Sequence, residues 1–172
     1  QSYNSDSHTA NGVFRGTKAD IWEGGHHVPF FVRWPGRVEP GSECGRTICL
    51  VDLFATCADI ADGEIEPDAA EDSFSLLPLL GGEVNNGRAP VIHHSASGMF
   101  SIRDGKWKLV AGTGSGGREQ PKGRNFEKPY MLFNMEADIC EEHDVAAENP
   151  DVVEALTMDL ERIIDSGRST SN

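Results

Sequence analysis

The sequence predicts an α/β protein: the end of a parallel, helix-covered sheet, then a small antiparallel sheet and a closing helix. Three observations carry this. Residues 28–34 (VPFFVRW) form a continuous apolar run closed by Pro35-Gly36, the pattern of a strand buried on both faces. Residues 99–103 and 106–110 flank Asp104-Gly105, a strong hairpin cue because both positions of such a tight turn call for positive φ. After Asn149-Pro150, the residues Val152, Val153, Leu156, Leu160 and Ile163 or Ile164 recur at helical spacing, with proline near the first position.

The remaining elements follow in order. Residues 1–25 are polar and punctuated by Gly12, Gly16, Gly24 and Gly25, so they read as an irregular loop. Residues 46–61 read as a helix whose buried face carries Leu50, Val51, Phe54, Ala55, Ala58 and Ala61, stopped by Asp62-Gly63. An acidic surface loop (64–72) and a short apolar segment (74–80) complete a first subdomain, residues 1–85. The second, 86–172, opens with a strand at 90–94, continues through the hairpin, and has a mobile Gly-, Lys- and Arg-rich loop at 111–128. A strand at 130–134 precedes its terminal helix.

The 172 residues suffice for one domain or the tail of a larger one. With 28 acidic and 15 basic side chains the formal net charge is −13, which argues against nucleic acid as a partner. A small basic pocket for a single anionic group remains compatible with that charge. No apolar run approaches the length of a membrane span. Residues 1–8 show neither a starting Met nor an apolar leader, so the chain is expected to be a fragment whose N-terminal part lies elsewhere. Cys44, Cys49, Cys57 and Cys140 contain no CxxC pair. They read as free, partly buried thiols, with a Cys44–Cys49 loop disulfide as the alternative.

The richest stretch for chemistry is RGTKADIWEGGHHVPFFVRWPG, residues 15–36. Lys18, flanked by Gly16 and small residues, can present its ammonium to an anionic group; a solvated loop lysine is the blander reading. Glu23-Gly24-Gly25 reads as a turn whose carboxylate pins nearby amides. His26 and His27, like His93 and His94, are adjacent, so each pair diverges on an extended chain and makes a weak metal pair. Ser95 and Ser97 lack a G-x-S-x-G elbow, which disfavours a hydrolase triad. Asp20/Glu23 and Glu141/Glu142 read as surface charges, and the acids of 138–144 as solvated rather than as a cation loop.

The ordered set of motifs resembles the sulfatase family. RG-x-K, WEGG and VPFFVRWPG are followed in the family's order by LVDLFATCADIA (50–61), EDSFSLLPLL (71–80), HHSASGMFSIRDGKWKLV (93–110) and YMLFN (130–134). The likeness covers nearly the whole chain and is strongest to bacterial arylsulfatases, within the alkaline-phosphatase-like superfamily. It implies the end of that superfamily's α/β/α domain plus a C-terminal subdomain with antiparallel sheet and terminal helix. It implies hydrolysis of sulfate esters, aryl or carbohydrate, through a formylglycine nucleophile and a calcium ion, with Lys18 as a sulfate contact. The partners it implies are a sulfated small molecule or carbohydrate and the missing N-terminal part. It implies a periplasmic or secreted location, and a substrate rim containing His93 and His94. This chain departs from the family pattern in three ways. No Cys or Ser is followed by x-P-x-R, no Asp-Asn-Gly run supplies metal ligands, and His27 stands where relatives often have Arg. No nucleophile and no metal ligand is therefore assigned here. A phosphoesterase of the same superfamily and a non-catalytic glycan-contacting module are the alternatives.

Overall fold

The computed structural model describes residues 10–84 and 87–170; residues 1–9 of the loop expected at 1–25 lie outside them. The elements run α1 (Glu23–His26), α2 (Asp52–Ile60), α3 (Leu77–Leu80), β1 (Val91–His94), β2 (Phe100–Asp104), β3 (Trp107–Val110), β4 (Met131–Asn134) and α4 (Pro150–Ser166). The chain forms two compact units. One takes the residues up to Val28 together with Ile92–Leu160; the other takes Pro29–Val91 and the chain from Glu161 on. No helix among the described residues is long and apolar enough to cross a membrane.

The first unit is built on a four-stranded sheet of order β1-β2-β3-β4. The β2–β3 pair is the expected antiparallel hairpin. Its register sets Asp104 opposite Trp107, so the two turn residues are Gly105 and Lys106, one position later than the Asp-Gly cue. Only Gly105 has positive φ (+50°), as a connection with glycine at its first central position requires. Register then decides burial. Ile102, Leu109 and Leu132 stand opposite one another and face Leu156 and Leu160 of α4. In α4 the proline occupies the first helical position, and Ile163 rather than Ile164 takes the buried place.

The opposite face is also covered. Val110 and Phe133 pack against Ile21, Trp22, Met99 and Met135, with the Trp22 and Phe133 rings edge to face at 5.8 Å. Lys108 shares that face and has no exposed surface. Its ammonium lies 2.9 Å from Glu23 Oε1 and 2.7 Å from Glu141 Oε1. The approach to Glu141 is an ion pair without hydrogen-bond alignment. Glu141 Oε2 in turn accepts the amide of Glu23 at 2.7 Å. Two carboxylates thus share one buried cation. Burial opposes ionisation of Glu23, but Lys108, with help from His27 and Arg103, outweighs it and holds its carboxyl down at about 2. Burial wins at Glu141, whose carboxyl is pushed up despite Lys108. Asp20, Glu23 and Glu141 are therefore core groups and not surface charges; Glu142 is exposed as expected.

The second unit departs most from expectation. Residues 28–34 form no strand among the described residues, and Phe31 is 91% exposed. An apolar run becomes a strand only where a neighbour takes its backbone hydrogen bonds. Helix α2 starts six residues later than expected, and of the expected face Ala55 is buried and Ala58 half-buried while the larger apolar residues are not. Asp52, Ala55 and Thr56 are buried, while Leu50, Val51, Leu53 and Phe54 face outward. The reason is polar. The Asp52 carboxylate receives a bidentate Arg88 (2.7 and 2.9 Å) and the amides of Cys49 and Phe74. Ser73 Oγ and Thr56 Oγ1 tie the same helix face to the 73–76 segment. All four cysteines are free thiols.

Two stability outcomes follow. In urea denaturation, Leu160→Ala should cost about 2–5 kcal/mol through the cavity it leaves on the sheet, and Phe31→Ser within about 0.5 kcal/mol. Lys108→Met leaves two carboxylates buried without their cation and should cost about 3–5 kcal/mol at pH 7. That deficit should shrink at pH 4, where the stranded carboxylates protonate. In the native protein, Glu23 titrates at about 2 against an ordinary 4.5. Its stabilisation is complete above the ordinary value and is lost as pH falls toward the lower one. A Lys108→Met deficit independent of pH would contradict this account.

Candidate functional site

Three irregular segments of the first unit converge at the edge of the sheet. Residues 17–20 form a turn closed by the Asp20 amide donating to Thr17 O at 3.0 Å, with Lys18 and Ala19 as its central residues. Residues 95–98 follow β1. Of residues 111–128, expected to be a mobile loop, 111–117 are buried or half-buried, with Ala111 and Ser115 inaccessible, while 120–128 are exposed. The segments are joined by backbone bonds: Ile21 N to Ser115 O (2.8 Å), Ala96 N to Ala19 O (2.9 Å) and Ser97 N to Gly116 O (3.0 Å).

One carboxylate organises the meeting point. Asp20 is fully buried. Its Oδ2 accepts from Thr17 N at 2.8 Å and from Thr17 Oγ1 at 3.3 Å; its Oδ1 accepts from Arg118 N and, at 3.0 Å, from Glu119 N. Burial raises the Asp20 carboxyl, but these bonds together outweigh it and hold it below its ordinary value. The glycines of the EGG sequence serve close packing. A Cβ on Gly24 would collide with the carbonyl oxygens of Gly16 and Arg15, and one on Gly25 with that of Asp20. Glu23 itself pins no amide among the described residues; its carboxylate is taken by Lys108 and His27. The amide-pinning role falls to Asp20 and Glu141.

Lys18 is exposed and makes no hydrogen bond or ion pair with the described residues. Its ammonium is therefore unspent, on a backbone that the buried Asp20 holds still. The histidine pair of β1 diverges as an extended strand requires. His93 turns inward, its ring 4.1 Å from that of His26 and its Nε2 3.4 Å from Ile21 O. Burial pushes the His93 imidazole well below its ordinary value, and the nearby Lys108 and His26 push the same way. His26 is also lowered, first by burial and then by Lys108. His94 is exposed, with Nδ1 2.9 Å from Ser95 O. A carbonyl can only accept, so Nδ1 carries a proton, and in the neutral ring Nε2 is then the acceptor. The turn bearing Lys18 thus meets the segment following His94 through the Ala19–Ala96 bond.

Sequence reasoning missed Asp20, Lys108 and Glu141. One signal was available: Leu109 and Val110 are consecutive apolar residues on β3, which marks both faces of that strand as covered and so puts Lys108 inside. Among the described residues no three His, Cys, Asp or Glu side chains converge to hold a metal ion. The chain has no Cys or Ser followed by x-P-x-R. The residues present therefore fit neither a calcium ion nor a formylglycine.

No protein-family model matches the chain. It is 30% identical over 160 residues to the N-acetylgalactosamine-6-O-sulfatase of Bacteroides thetaiotaomicron, a match covering 92% of this chain and 31% of that protein. It is 30% identical over 159 residues to the steryl-sulfatase of Rattus norvegicus, covering 87% of this chain and 26% of the relative. A solved structure from Bacteroides thetaiotaomicron, described under the metabolism of multiple glycosaminoglycans, superposes with a TM-score of 0.79 at 29% identity. It covers 92% of this chain and 33% of that one. The chain thus spans about a quarter to a third of the length of the relatives it matches. With sequence and fold agreeing along most of its length, the chain belongs to the sulfatase family.

Proposed function

We propose that this chain carries the lysine-bearing part of a sulfate ester hydrolase, and that Lys18 contacts the sulfuryl group. The observation that carries the reading is the exposed Lys18, without a partner among the described residues, on a turn held by a fully buried carboxylate. An ammonium so held needs no rearrangement to meet a group that gains negative charge on its oxygens, which is where fixed cations accelerate reactions most. A flexible surface lysine would lose part of that gain in ordering itself.

On this reading His94 offers its Nε2 acceptor to a hydroxyl of the alcohol portion of the substrate. His93, kept neutral by burial, lines the rim behind it. The relatives' names span a sugar sulfate and a steryl sulfate, so what they share is the ester and not the alcohol. The substrate class proposed is therefore an aryl or carbohydrate sulfate. Residues 1–85 would close the large α/β domain of the whole enzyme, and 86–172 would form its small antiparallel subdomain. The formylglycine and calcium chemistry that the resemblance implies would belong to residues outside this chain.

The test is sulfate release from an aryl sulfate by the longest polypeptide that carries these residues. Lys18→Ala should lower kcat by about 10²–10³-fold, and Lys18→Arg should recover part of it. Assayed in parallel, an aryl phosphate should turn over more slowly. Faster phosphate than sulfate release would move the assignment to a phosphoesterase, and undiminished kcat in Lys18→Ala would remove the lysine from the site.

A further inference from the structure

We propose that Asp20, with Gly117 packed against it, is a positioning residue for Lys18: its carboxylate locks the 17–20 turn onto the 115–119 segment and thereby sets where the ammonium can reach. The inference rests on the reading of Lys18 as a sulfate contact. The two carboxylate oxygens divide their work. Oδ2 holds the turn's own Thr17, through both amide and hydroxyl, and Oδ1 holds the amides of Arg118 and Glu119, almost a hundred positions away in sequence. All four groups are donors, so the site calls for an acceptor with about four lone-pair positions. Only a carboxylate supplies that at this size, because an asparagine would turn its own NH₂ against one pair of donors. The charge has no ion-pair partner among the described residues; these four donors alone compensate its burial, so the position of each donor segment depends on it.

The turn so fixed is not a relaxed one. Ala19, next to Lys18, has φ +91°, a region that residues with a side chain rarely adopt. Its carbonyl is engaged by Ala96, and the backbone of residue 117 lies against both Ala19 and Asp20. A Cβ added at Gly117 would run into the Ala19 carbonyl oxygen and Asp20 Oδ1. Gly117→Ala therefore forces the two segments apart while leaving the carboxylate chemically intact, and it tests the clamp independently of the charge.

The experiment is a double-mutant cycle in the longest polypeptide that carries these residues, with kcat and KM for an aryl sulfate and thermal unfolding measured for each protein. Asp20→Asn should lower kcat by about 10²-fold, with little change in KM. In a Lys18→Ala background the same substitution should cost nothing further, because the lysine it positions is gone. A purely structural Asp20 would instead reduce both backgrounds by the same factor. Gly117→Ala should follow the pattern of Asp20→Asn. Full kcat in Gly117→Ala, or equal losses from Asp20→Asn with and without Lys18, overturns the inference while leaving Lys18 in the site. Full kcat in Lys18→Ala overturns the lysine reading and the positioning role with it.

Discussion

A lysine ammonium with no contact with water, bridging two carboxylates, governs where the segment carrying the site lies on the sheet. Taking ions out of water costs several kcal/mol each, and the cost is recovered only with close partners in good geometry. Lys108 finds Glu23 at 2.9 Å and Glu141 at 2.7 Å. The second carboxylate also captures the amide that opens α1. Sliding the 20–27 segment by one residue would pull Glu23 away from both Lys108 and Glu141, while the Lys108–Glu141 contact stayed behind. The segment therefore has one position on the sheet, with Trp22 wedged against Phe133 and covered on its far side by the Arg15 guanidinium at 3.9 Å.

From that anchor the site is assembled from backbone more than from side chains. The sheet and α4 form a rigid base, and the three segments at its edge are irregular, as segments that bind or catalyse commonly are. What keeps them still is the satisfaction of their amides by the Asp20 carboxylate, by Glu141 and by carbonyls of the neighbouring loops. Among the described residues the Lys18 ammonium makes no hydrogen bond or ion pair, and His94 is exposed. His93 belongs to the support, its ring against His26 and its charge suppressed by burial.

Local patterns in the sequence determined much of the architecture. The alternation on either side of Asp104-Gly105 produced the β2–β3 hairpin, and the spacing of Leu156, Leu160 and Ile163 produced the buried stripe of α4. The order of motifs pointed to the family and to Lys18. These signals are legible because a period of two or of 3.6 is written within a dozen residues.

Only the tertiary structure decided which charges are buried. Glu23 and Glu141 are 118 positions apart, and Lys108 and Glu23 are 85 apart, so no local window contains the network. Asp20 and Glu141 look like surface acids until long-range donors are brought to them. Tertiary contacts also settled the apolar run at 28–34 and the face of α2. The first has no strand beside it among the described residues; the second was set by the pull of Arg88, Cys49 and Phe74 on Asp52. Periodicity says that a face exists. Which face is buried depends on the partners that meet it, and a buried carboxylate with four donors outweighs an apolar stripe that has nothing to pack against.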